Sequence, residues 1–163
     1  LKKKIALAIL TILLGTLSAL ASPGHTGDEP PTSEDEPVAY GEPGNPDEPA
    51  RLVQVTMREL DGGMKFIPDV LKIRTGEQVK FVIRNGGQLD HELVFATLEE
   101  NLAHGLEMAK NPDMEHDDPN AAKVAPGDVQ EIVWKFTNAG EFDFSCLIPG
   151  HREAGMFGTI VVQ

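Results

Sequence analysis

The sequence predicts an all-β protein, a sandwich or barrel of short strands with one short helical insertion. Three observations lead there. Apolar residues alternate with polar ones at a period of two in several short runs. Glycine-rich turn signals separate those runs: DGG at 61–63, TGE at 75–77, NGG at 85–87, PGD at 126–128 and NAG at 138–140. One stretch, 97–112, breaks the alternation and takes helical spacing instead.

The chain opens with LKKKIALAILTILLGTLSALA. Three lysines precede an apolar run from Ile5 to Leu14, and Ala19 and Ala21 form an A-x-A pattern. That arrangement reads as a secretory signal peptide over residues 1–21, cut after Ala21, which directs the protein to the periplasm. The run is too short and too interrupted by Thr11, Gly15, Thr16 and Ser18 to suit a membrane span. The mature protein is therefore expected to be free of the membrane. Residues 22–49 hold eight acids, seven prolines and no lysine or arginine. Their only large apolar residues are Val38 and Tyr40, so a disordered, extended tether is expected there. His25 falls within it as a solvated histidine. Residues 50–163 have the composition of one globular domain, large enough for a single core.

Within that domain the strands are legible in order. Val53, Val55 and Met57 share one face of the first. Val79, Phe81 and Ile83 share a face of the second, with Lys80 and Arg84 opposite. Ile132, Trp134 and Phe136 do the same further on. In EFDFSC, Phe142, Phe144 and Cys146 face one way, Asp143 and Ser145 the other. The insertion TLEENLAHGLEMAKNP carries Leu98, Leu102, Leu106 and Met108 near helical spacing and stops at Asn111-Pro112. A helix of about three turns is expected, its apolar residues facing the core, followed by the acidic loop DMEHDDPN.

Charge and cysteine usage narrow the chemistry. The formal net charge is −12, and loss of three signal lysines makes the mature chain −15. Such a chain repels nucleic acid and attracts basic partners. With one cysteine, Cys146, no intramolecular disulfide can form. A thiol in an oxidising compartment needs an occupant, and a metal is one.

Cys146 is followed by His151 and Met156 at equal intervals of five. Pro149-Gly150 ends the strand just after the cysteine, so His151 and Met156 fall on a loop returning to a last strand. His91, at a strand start in LDHELVF, supplies a fourth donor at the same end of a sandwich. A thiolate, two imidazoles and a thioether form the donor set of a mononuclear copper electron-transfer site. Three other readings compete. Cys146 and His151 could be a nucleophile and its base. Structural zinc could use cysteine and histidine, though it seldom takes methionine and favours several cysteines. The cysteine could also be an inert core residue.

FSCLIPGHREAGMFGTIVV together with DHELVF resembles the ligand signature of the cupredoxins, the blue-copper family. The Cys-x4-His-x4-Met loop is most like that of rusticyanin, and its wording is closest to bacterial periplasmic copper-tolerance cupredoxins. The resemblance covers residues 50–163. It implies an eight-stranded or similar Greek-key sandwich, and one type 1 copper ion held by His91, Cys146, His151 and Met156. Glu92 departs from it, since many cupredoxins carry there an asparagine that ties the two ligand loops together. A backbone N–H at residue 92 can still reach the cysteine sulfur.

Two roles are expected from this: a monomeric one-electron carrier for a redox partner, such as a basic cytochrome, or a copper-tolerance protein. The alternative is a copper-sequestering protein without a carrier role, using a second site from His104, Met108, Met114 and His116. Apolar spacing already explains Met108 as a core residue. An oxidase would need further copper centres, and the protein is not expected to be an enzyme.

Overall fold

A computed structural model of the protein describes residues 38–111 and 118–163. The strands are β1 (Glu42–Pro43), β2 (Arg51–Leu60), β3 (Gly63–Ile67), β4 (Val70–Ile73), β5 (Glu77–Asn85), β6 (His91–Ala96), β7 (Ala121–Val124), β8 (Val129–Phe136), β9 (Gly140–Ser145) and β10 (Phe157–Val162). The helix α1 spans Leu98–Lys110. Two five-stranded sheets result, in the orders β1-β8-β5-β2-β3 and β4-β10-β9-β6-β7.

The alternating faces do what their spacing demands. Val55, Met57, Val79, Phe81, Ile83, Phe136 and Phe144 are fully buried between the sheets. Aromatic rings knit the middle of the core. Trp134 stacks on Tyr40 at 5.6 Å, and Phe95 meets Trp134 edge-on at 5.1 Å. β2 and β5 run parallel, with Met57 opposite Asn85, while β9 runs antiparallel to both β6 and β10. Consequently β2, β5 and β9 finish, and β6 and β10 begin, at one end of the sandwich.

The tether expected over 22–49 does not extend to 49. Residues 38–43 pack on the domain: Val38 and Gly41 bridge, and Glu42–Pro43 pair with Lys135 and Trp134 of β8. The physical reason is Tyr40, whose buried ring stacks on Trp134 while its carbonyl accepts from Trp134 Nε1 at 3.1 Å. One aromatic residue in an acidic stretch is enough to dock it. The signal peptide, His25 and the rest of the tether, 22–37, lie outside the described residues.

α1 forms where the spacing predicts, closed by a capping box between Thr97 and Glu100. Its orientation is a correction. Leu98, Leu102 and Leu106 are exposed, and only Asn101 and Met108 are fully buried. Asn101 turns inward because its Nδ2 donates to Asp143 Oδ1 at 2.7 Å and to the Val94 carbonyl at 3.2 Å. The helix thus covers the outer face of β9. Asp143 and Ser145, on the face opposite Phe142, Phe144 and Cys146, are buried beneath it. Among the described residues, no helix is long and apolar enough to cross a membrane.

Candidate metal centre

His91, Cys146 and His151 meet at the end of the sandwich where β6 begins and β9 stops. One donor atom from each lies within 4.8 Å of the others. The Nδ1 atoms of the two histidines are 3.2 Å apart, and Cys146 Sγ is 3.3 Å from His151 Nδ1. His91 and Cys146 are fully buried, while His151 is half-buried. Metal bonds of about 2.0 Å to imidazole and about 2.3 Å to thiolate place such donors roughly 3–4 Å apart. The three atoms therefore fit around a single ion.

The loop after Cys146 is built by its own backbone. His151 N–H donates to the Ile148 carbonyl, Met156 N–H to His151, and Cys146 N–H to Met156, each at 3.0 Å. Gly155 sits at φ +100°, where side chains are strained, and this reversal brings Met156 back beside Cys146. Met156 is fully buried in the same core cluster as Cys146. Arg152 pins the loop from outside, reaching Asp143 through two bonds of 2.8 and 3.0 Å. The Ala154 carbonyl accepts from Met64 N–H of β3 at 2.8 Å.

The departure at Glu92 resolves into a substitute tie. Glu92 N–H donates to Cys146 Sγ at 3.4 Å, as a backbone group at this position was expected to do. Its carboxylate accepts from Leu147 N–H at 2.8 Å, so the acid links the histidine strand to the cysteine loop.

Electrostatics sort the competing chemistries. Burial pushes the Cys146 thiol up to about 12, outweighing the N–H donated by Glu92. A thiol held there is a poor nucleophile at neutral pH, and a metal cation is what would ionise it. Burial, and then the neighbouring His91, hold His151 below the ordinary imidazole value, which keeps its lone pair available. A single cysteine among imidazoles, with methionine adjacent, suits copper better than structural zinc.

Of the residues of the alternative second site, Met108 takes the core position that its apolar spacing explains. That side chain is buried with Val94 and Leu147 in a small apolar cluster. His104 lines a cavity with Tyr40, Glu100, Asp118 and Asn120. Met114 and His116 are outside the described residues.

Sequence reasoning missed Glu59. Its Oε1 lies 2.8 Å from His91 Nε2, and its oxygens accept from the N–H groups of Gln88 and Leu89. Burial would raise its pKa, but the Leu89 and Gln88 amides and His91 together bring it down to about 2. The available signal was parity: Glu59 continues the inward series Val53, Val55, Met57. Asn85 was missed in the same way. It continues Val79, Phe81, Ile83, and its Nδ2 binds the carbonyls of Leu89 and Val124 at 2.7 and 2.8 Å.

Residues 53–163 match the family of copper binding proteins described as the plastocyanin/azurin family. A copper-resistant cuproprotein, CopI, of Rubrivivax gelatinosus is 47% identical over 131 residues, covering 80% of this chain and 78% of the relative. The protein of the same name from Pseudomonas aeruginosa is 31% identical over 187 residues, covering 97% of this chain and 94% of its own. Among solved structures, auracyanin B superposes with a TM-score of 0.60 at 24% identity, over 72% of this chain and 91% of that one.

Proposed function

This chain belongs to the plastocyanin/azurin family of copper-binding proteins, and from that premise we propose that it acts in the periplasm as a one-electron copper protein serving copper tolerance. It binds one copper ion. The observation that carries the reading is the convergence of His91, Cys146 and His151 at one buried point. We assign these three as ligands, with Met156 as the weak axial donor. Copper bound there supplies a centre that alternates between Cu(II) and Cu(I).

The residues around it serve that chemistry. The thiolate and thioether favour Cu(I), and the imidazoles suit both oxidation states. The loop's backbone bonds hold the donors in place when the charge changes, so little rearrangement accompanies each step. Half-exposed His151 gives the site an edge toward solvent.

Three features support the wider role. The two similar proteins named copper-resistant cuproproteins favour tolerance. The lysine-led apolar N-terminal run favours export. A redox partner has a surface to use beside the ligand loop: Leu102 and Leu106 of α1, with Leu147, Ile148 and Pro149, line an apolar cavity of about 260 Å³. The strong negative charge steers basic partners toward it, a basic cytochrome among them. We read the protein as a monomer and a carrier, not an enzyme; burial raises the Cys146 thiol, which speaks against nucleophilic work by that residue alone.

Adding Cu(II) to the purified protein tests the site. One equivalent should produce intense visible absorption and a single paramagnetic centre; a spectrum like that of aqueous copper would refute the assignment. Deleting the gene should slow growth in excess copper. Normal growth there, with fast electron exchange to a cytochrome, would leave the carrier role alone.

A further inference from the structure

We propose that Glu59 is a positioning residue of the copper centre: its carboxylate holds His91 in the tautomer that leaves Nδ1 for the metal, and its charge biases the bound ion toward Cu(II). The proposal rests on ligation by His91 as assigned above.

Glu59 Oε1 lies 2.8 Å from His91 Nε2. Gln88 N–H reaches the two oxygens at 3.1 and 2.9 Å, and Leu89 N–H reaches Oε1 at 3.0 Å. Both backbone neighbours can only donate, so the carboxylate is fixed as an acceptor. Neutral imidazole carries one N–H. Facing an acceptor, His91 places that hydrogen on Nε2, and the lone pair is left on Nδ1. Nδ1 is the atom that points at His151 Nδ1, 3.2 Å away. His91 is fully buried, so its Nε2 meets Glu59 and not solvent.

The surroundings are shaped for this contact. A Cβ at Gly87 would collide with both Glu59 carboxylate oxygens, so only glycine lets the acid approach. Asn85 Oδ1 accepts from Gly87 N–H at 2.9 Å and so holds the glycine in place. The NGG turn is thereby a cradle for an acid, not only a strand connection. An acceptor behind a ligating imidazole orients the ring and raises its basicity. A negative charge near the metal favours the higher oxidation state.

The tautomer is read in apo-protein by long-range nitrogen–proton NMR correlation. Nε2–H on His91 is expected; Nδ1–H would overturn the positioning role. In Glu59→Gln the amide oxygen can still accept while the charge is lost. Copper should remain bound, and preference for Cu(II) over Cu(I) should fall at least tenfold, a rise of about 59 mV in the one-electron potential. Gly87→Ala displaces the carboxylate without removing it and should move the potential the same way, which keeps the test alive if Glu59→Gln fails to fold. A role confined to closing the turn would lower thermal stability and leave the potential at its wild-type value, and that result in the folded variants would overturn the proposal. If wild-type protein takes up no copper, the functional reading falls and the proposal with it; if copper binds and the potential is unmoved in the folded variants, the proposal alone falls.

Discussion

The same strands build both ends of this sandwich, yet the two ends hold different kinds of polar group. Where β2 and β5 start, Arg51 pairs with Glu77 at 2.7 Å, and Arg74 N–H donates to the same carboxylate at 2.9 Å. Arg51 is substantially exposed, as surface ion pairs usually are. Where those strands finish, Asn85 is fully buried, as are His91, Ser145 and Cys146. Each has a named partner: Asn85 binds Leu89 and Val124, His91 binds Glu59, Ser145 binds Asp143, and Cys146 receives Glu92 N–H. Burying polar groups costs stability unless every one is satisfied. Of the two ends, the molecule accepts that cost at the one that needs fixed donors; Asn101 and Asp143 are buried besides, under α1.

Substitutions can break this contrast, beginning with the largest effect. Cys146→Ser should abolish the intense visible absorption of the copper form, while apo-protein unfolds at nearly the wild-type temperature. A retained band would show that the sulfur does not ligate. Next is Asn85→Ala, which strands the buried Val124 carbonyl and the Gly87 N–H and frees the part-buried Leu89 carbonyl. It should cost roughly 3 kcal/mol in denaturant unfolding. A loss well under about 1 kcal/mol would mean that the loop reseats without it.

Met156→Leu sharpens the comparison more gently. Copper and its colour should persist, and the potential should rise because a donor to Cu(II) is gone. An unchanged potential would remove Met156 from the axial position. The smallest effect belongs to the opposite end. Glu77→Gln should cost under about 1 kcal/mol at neutral pH. The hydrogen bond from Arg51 holds the Glu77 carboxyl below its usual value of 4.5. Its contribution is therefore complete above pH 4.5 and is lost as pH falls through the lowered value. The variant's acid-unfolding limb should be shallower than that of wild type in that window; coincident limbs would show that the pair contributes nothing.

Much of this was legible in the residues. Period-two alternation marked the strands that form the core, and the spacing of Cys146, His151 and Met156 marked the ligand loop. Less visible was the partner chemistry. In four strands the inward parity ends on a polar residue at the same end: Glu59 after Met57, Asn85 after Ile83, His91 before Leu93, Cys146 after Phe144. His91 and Cys146 stood out because their side chains are metal donors. Glu59 and Asn85 did not, since a polar residue closing a strand looks like a turn. Only tertiary packing reveals that all four close the same end of the sandwich. The outward leucines of α1 were misplaced for a related reason: spacing tells which residues share a helix face, not which face meets the sheet.

The thin attachment of α1 has a consequence of its own. The helix covers β9, but Asn101 and Met108 are its only fully buried residues. Cooperative units open in order of how firmly they are held. Hydrogen exchange should therefore release the amides of α1 well before those of β9. In that opened state the strand leading to Cys146 would show water an outer face that is otherwise dry. The dryness of the cysteine strand's outer face thus depends on a helix seated by two fully buried side chains.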